Sequence, residues 1–158
     1  MRHAIAAVLL CTAPAMVGCT PRLIPGTEIR DTTDTRQILD LVAAYKAGLE
    51  GRNVDAVMRT VSKSFFESSG TPEGEDDYDY AGLEQKLRKW AEATKVVRAG
   101  IEVKQILVED SKARVQYFFD VNYQIFGPES TLQWKRETDT KEMSLKREGG
   151  AWRIVSGI

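Results

Sequence analysis

The spacing of apolar residues changes several times along the chain, and each change marks a new element. Ala4 to Val17 is almost continuously apolar and follows a short cationic start at Arg2 and His3. Thr20 to Thr33 has no such pattern, and Pro21, Pro25, Gly26 and scattered charges predict a flexible spacer. From Asp34 the apolar positions take a helical period, with Ile38, Leu41, Val42, Tyr45 and Leu49 on one face. Asp34 with Gln37 three residues later fits a capping box, and Gly51 fits a stop. Asn53 can cap a short second helix whose apolar face is Val54, Val57, Met58 and Val61. Phe65-Phe66 predicts a short extra strand or a plug beneath the core. Ser68 to Asp79, with Gly70, Pro72 and Gly74, predicts an acidic loop. A third helix places Tyr80, Leu83, Leu87, Trp90 and Thr94 on one side and Glu84, Lys86, Arg88, Lys89 and Glu92 on the solvated other.

From Val97 the period becomes two. Ile101 and Val103 alternate with Glu102 and Lys104, and the phase slips before Ile106 and Val108, as a bulge would produce. Val115, Tyr117, Phe119, Val121, Tyr123 and Ile125 make the cleanest alternation. Gly127-Pro128 then turns the chain into a long polar strand from Thr131 to Arg147. Gly149-Gly150 is a hairpin signal, and Ala151 to Ile158 closes the sheet with Trp152 and Ile154 inward. Three helices followed by four antiparallel strands is an α+β layout, with the helices on one face of the sheet. The tyrosine-bearing first helix, the Gly51-Arg52-Asn53 break and the terminal Trp152-Arg153-Ile154 resemble the nuclear transport factor 2-like superfamily over roughly residues 34–158. That resemblance implies a curved, cystatin-like half-cone of sheet with helices over a cavity at its mouth. It does not choose among the isomerases, dehydratases, adaptors and association domains of the superfamily.

The apolar run of residues 4–17 is too short for a transmembrane helix, which needs about 20 apolar residues, and Pro14 interrupts it. It reads as a cleaved export signal over residues 1–18. Met16-Val17-Gly18-Cys19 resembles a bacterial lipobox, which implies a diacylated Cys19 at the head of a spacer over residues 19–33. Cleavage after Ala13-Pro14-Ala15 is the competing reading and would leave Cys19 a free thiol. Two acyl chains suffice for stable anchoring, where one does not. The expected location is therefore the cell envelope, with Thr20 after the cysteine implying outer-membrane sorting in a Gram-negative host.

Charge and composition then narrow the chemistry. With the signal removed, the 22 basic residues lose Arg2 and face 23 acidic ones, a balance that argues against nonspecific nucleic-acid binding. His3 is the sole histidine and leaves with the signal. Without imidazole or a second thiol, Ser-His-Asp and Cys-His catalysis and zinc sites of histidine and cysteine are excluded. No cofactor or metal is expected. Glu73, Glu75, Asp76, Asp77 and Asp79 do not have the spacing of a calcium-binding EF-hand loop.

The superfamily resemblance sets Tyr45 at the position of the tyrosine that donates to the oxyanion in ketosteroid-isomerase-like members. The matching position for their carboxylate base falls on Ser69, two residues from Glu67. Glu67, Asp120 and Asp139 are the weak carboxylate candidates beside Tyr45. Tyr45, Trp90, Tyr117, Tyr123 and Trp134 are candidates for lining an apolar pocket, although Tyr45, Tyr117 and Tyr123 equally suit core packing. Trp134 is out of phase with Met143 and Leu145, so either a bulge near Thr138-Asp139-Thr140 intervenes or the indole faces solvent. Alternating charges at Arg136, Glu137, Asp139, Lys141 and Glu142 suit cross-strand pairs on a wet face. The opposite face of the central strand carries Phe118, a candidate anchor for the homodimer that the resemblance implies there, but its polar neighbours equally suit a wet interface or none. The leading expectation is a lipid-anchored, non-catalytic domain that binds a protein or small apolar ligand. An isomerase or dehydratase using Tyr45 with a carboxylate is the alternative, and a structural adaptor in an envelope complex the third reading.

Overall fold

The computed structural model describes residues 21–68, 76–127 and 131–158. The expected signal, Cys19, Ser69 and most of the acidic loop lie outside the described residues. Three helices pack on one four-stranded antiparallel sheet: α1 (Thr33–Glu50), α2 (Val54–Met58) and α3 (Tyr80–Ala93) precede β3 (Thr94–Glu109), β4 (Lys112–Phe126), β5 (Leu132–Glu148) and β6 (Ala151–Ser156). A separate two-stranded ribbon joins β1 (Phe66–Glu67) to β2 (Tyr78–Asp79). The four long strands lie in the order β3-β4-β5-β6, a simple meander. Among the described residues, no helix is long and apolar enough to cross a membrane.

Each helix begins on a side-chain cap. The cap of α1 is Thr32, not Asp34: its hydroxyl accepts from the Thr35 amide, and Thr35 returns the bond to the Thr32 amide. Two threonines build the box that the sequence suggests for Asp34 and Gln37, and Asp34 pairs instead with Arg147 across the fold. Asn53 caps α2 and Asp79 caps α3, each through its side-chain oxygen. Val61, grouped by period with α2, lies beyond the helix and forms a parallel bridge to Ile154. The segment read as a spacer already has structure from Pro21 onward. Leu23 and Arg30 face one another in a small hairpin, and Ile29 is buried.

The core lies between the helices and the inner face of the sheet. Ile38 and Tyr45 of α1, Val57 of α2, Val115 and Tyr117 of β4, Met143 and Leu145 of β5, and Trp152 and Ile154 of β6 pack together. Burying a side chain such as Ile38 or Leu145 contributes about 1.5–3 kcal/mol, so the ends of distant strands hold the helices down. Gly48 lets α2 approach closely, since a Cβ there would come within 2.8 Å of Val57 Cγ2 and 3.0 Å of its amide nitrogen. β3 begins at Thr94 rather than Val97, and its register shifts between Val103 and Gln105, where the alternation slips.

Candidate functional site

The inner-facing residues of β4 organise the site. Alternation sends Tyr117, Phe119, Val121 and Tyr123 toward the helices, and Phe118, Asp120 and Asn122 to the outer face. Tyr45 descends from α1 onto the same inner face and is almost wholly buried. Burial drives its phenol pKa far above the ordinary range, reinforced electrostatically by nearby Tyr117 and Tyr78. The Tyr117 phenol is pushed up likewise by burial first, then by Glu67 and Asp139. These phenols therefore stay protonated, and the Tyr117 hydroxyl serves as a hydrogen-bond donor.

The short ribbon supplies the second wall. Glu67 of β1 and Tyr78 of β2 are direct cross-strand partners and so share one face. Burial raises the Tyr78 pKa, with a further contribution from Glu67. Between this wall and Tyr117 run Gly157 and Ile158. The Gly157 amide donates to Glu67 Oε2 at 2.5 Å, the Tyr117 hydroxyl donates to the Gly157 carbonyl at 2.9 Å, and the Tyr78 hydroxyl lies 3.5 Å from the Ile158 carbonyl. Ile158 packs against the core. Gly157 has φ +87°, and a Cβ there would strike the Glu142 carbonyl, so only glycine takes this path.

Further out, Trp90, Phe119 and Tyr123 surround Val97, Ala99 and Val121 in a second small cluster. The Tyr123 hydroxyl donates to Glu137, which together with partial burial pushes its pKa up to about 12. The Lys141 ammonium lies over the Phe119 ring at 5.2 Å. Asp139, on the inner rim of β5, accepts the Thr140 amide at 2.7 Å.

Four of the five aromatic candidates thus share the inner face: Tyr45 and Tyr117 in the main core, Trp90 and Tyr123 beyond it. Trp134 does not join them. The β4–β5 register runs unbroken from Lys112↔Lys146 to Phe126↔Leu132, so no bulge turns Trp134 inward, and its indole is 54% exposed on the outer face. Asp120 also lies on that outer face, where Arg136 binds both its oxygens at 2.9 and 2.8 Å and holds its pKa below the usual range. It cannot reach Tyr45 through the sheet. Glu67 does enter the tyrosine neighbourhood. Sequence reasoning missed Tyr78, hidden in an acidic loop, and the placement of Gly157 and Ile158. The isolated glycine after a strand was the one available signal.

A cleft of about 760 Å³ lies elsewhere, between Glu28–Thr32 and the edge of β3 at Lys104–Val108. Among the described residues, no group of three metal-ligating side chains is close enough to hold an ion.

No protein-family model matches this sequence, and no curated protein does. Solved structures do. A protein of the nuclear transport factor 2-like family from Streptomyces avermitilis is 12% identical and superposes with a TM-score of 0.65 over 79% of this chain and 94% of its own. A ketosteroid isomerase-like protein from Erwinia carotovora atroseptica is 13% identical, with a TM-score of 0.63 over 80% and 95%. A protein of unknown function with a cystatin-like fold from Nostoc punctiforme is also 13% identical, with a TM-score of 0.61 over 80% and 90%. At such identities the likeness speaks for the fold alone. This chain has the nuclear transport factor 2-like fold: helices packed on one face of a four-stranded antiparallel sheet.

Proposed function

We propose that the protein is anchored to the cell envelope by lipid on Cys19 and that its domain binds a partner or small apolar ligand without chemistry of its own. The observation that carries the non-catalytic reading is the use made of its carboxylates. Glu67, which enters the tyrosine neighbourhood, holds the Gly157 amide, and Asp120 is taken by Arg136 on the other face. A base for proton transfer must reach the reacting atom, and neither carboxylate is free to do so in this arrangement. The inner face supplies the apolar walls that binding needs, with the Tyr117 and Tyr123 hydroxyls held at Gly157 and Glu137. The outer face, with Phe118, Phe126, Leu132 and Trp134 exposed, supplies the surface for the proposed homodimer.

Two experiments test this reading. Cys19→Ser should accumulate as uncleaved precursor and leave the membrane fraction; unchanged processing would remove the anchor. Native mass spectrometry of the gently purified protein, compared with a denatured sample, should show a noncovalent added mass or a stable complex. A bare monomer under all conditions counts against the binding role.

A second reading draws on the meeting of Tyr45, Tyr78, Tyr117 and Glu67. If a retained ligand is isomerised or dehydrated, and Glu67→Gln abolishes turnover while keeping binding, the domain is an enzyme.

A further inference from the structure

The outer face of the sheet, at the end backed by the core, carries a row of cations that strand pairing sets against one another. Alternation turns Lys112, Lys146 and Arg153 outward, opposite to Ala113, Leu145 and Ile154 in the core. Lys112 stands directly across from Lys146 on β5, and Lys146 directly across from Arg153 on β6. Such neighbours lie about 4.5–5.5 Å apart at Cβ, and like charges placed so are destabilising. The adjacent row holds Arg114, Ser144 and Ser156 in the same direct pairing. Nearby acids do not satisfy these groups. Glu109, across from Lys112 on β3, comes no nearer than 3.9 Å to Arg114. Glu148 lies 3.8 Å from Lys146 and accepts the Ser62 hydroxyl at 2.8 Å instead. Among the described residues neither Lys112 nor Arg153 forms an ion pair, and the Ser144 and Ser156 hydroxyls make no hydrogen bond.

These side chains share a recess of about 400 Å³, to which Lys112, Arg114, Lys146 and both serines contribute, with Leu107 and Val155 as its apolar side. Leu107 is 41% exposed there. We infer that the recess binds a small, soluble phosphomonoester whose organic part is short and apolar. A tetrahedral dianion suits the donors: a guanidinium fork spans two oxygens, while two ammonium groups and two hydroxyls serve the rest. A carboxylate brings fewer oxygens and less charge. The organic part rests against Leu107 and Val155, and the volume suits one ring or a short chain. The bound anion offsets the repulsion along the row, so ligand and fold stabilise one another. The site lies across the sheet from Tyr45 and Tyr117 and does not depend on the inner-face reading.

The test uses phenyl phosphate as probe, titrated calorimetrically into the full chain in a non-ionic detergent and a phosphate-free buffer. It should bind with a Kd of about 0.1–1 mM, and inorganic phosphate, lacking the ring, about tenfold more weakly. Lys112→Gln combined with Lys146→Gln should weaken phenyl phosphate at least about tenfold, whereas Lys89→Gln, an exposed cation on α3, should leave it unchanged. Lys146→Gln also removes both opposed pairs. It should raise the thermal midpoint of the ligand-free protein by about 1–3 °C while lowering affinity, which a merely structural lysine would not do. No binding at about 10 mM probe, or inorganic phosphate binding as tightly as phenyl phosphate, overturns the proposal. So does a loss from Lys89→Gln equal to that of the pair, or a midpoint lowered by Lys146→Gln. Preference for lysophosphatidate in the same micelles over phenyl phosphate would assign the recess to a lipid headgroup and overturn the soluble ligand.

Discussion

The two halves of β5 form one strand in one unbroken pairing with β4, yet they live in different environments. Met143 and Leu145 lie in the core with Ile38 and Val42 of α1, and β6 pairs alongside from Ser144 to Glu148. Leu132 to Thr140 is exposed at every residue, on both faces, and pairs with β4 alone among the described residues. Register decides which way a side chain points; cover decides whether pointing inward means burial. The bare half has the composition its exposure demands. Lys135, Arg136, Glu137 and Asp139 place charges along an edge that would otherwise invite another strand.

The largest test of this contrast is in the covered half. Leu145→Ala should cost about 2–5 kcal/mol in urea denaturation, because its site is enclosed by both helices and strands. A cost below 1 kcal/mol would mean that the cover is loose. Next comes the seating of the cover. Gly48→Ala pushes a methyl into Val57 and its backbone, and should destabilise by about 1–3 kcal/mol, lowering the thermal midpoint.

The tyrosines sharpen the comparison through pH. On the covered side burial raises the Tyr45 and Tyr117 pKa values; toward the bare side Tyr123 is raised chiefly by one bond to Glu137. A folded pKa above the unfolded one stabilises the protein fully below the unfolded value. That contribution is lost as pH rises from about 10 through about 12 for Tyr123. Glu137→Ala should therefore bring one tyrosine toward ordinary titration in ultraviolet absorbance near 295 nm, leaving the two buried phenols unmoved. If all three shift together, the halves are coupled. The smallest effect belongs to Trp134→Ala, which should change stability by no more than about 0.5 kcal/mol while altering self-association if the outer face is an interface.

Much of this was legible beforehand. The helical period of Ile38, Val42, Tyr45 and Leu49, the Asn53 cap, the slip near Ile106 and the alternation of Val115 to Tyr123 all correspond to what forms. Such signals are local: they depend on which neighbours share a face within a few residues. The misplaced α1 cap is also local, and it failed because Thr32 and Asp34 both suit the role. Asp34 is drawn away by Arg147, 113 positions along the chain.

The sequence by itself determined the type and order of the elements, the lack of any histidine beyond His3, and the inward side of β4. Each follows from residue identity and short-range periodicity. Only the tertiary structure decided that Trp134 and Asp120 face away from Tyr45, that Glu67 and Tyr78 stand side by side, and that Gly157 lies between them and Tyr117. Those outcomes depend on the register between strands far apart in the chain and on the path of a glycine that no side chain could follow. Neither is written in any local pattern.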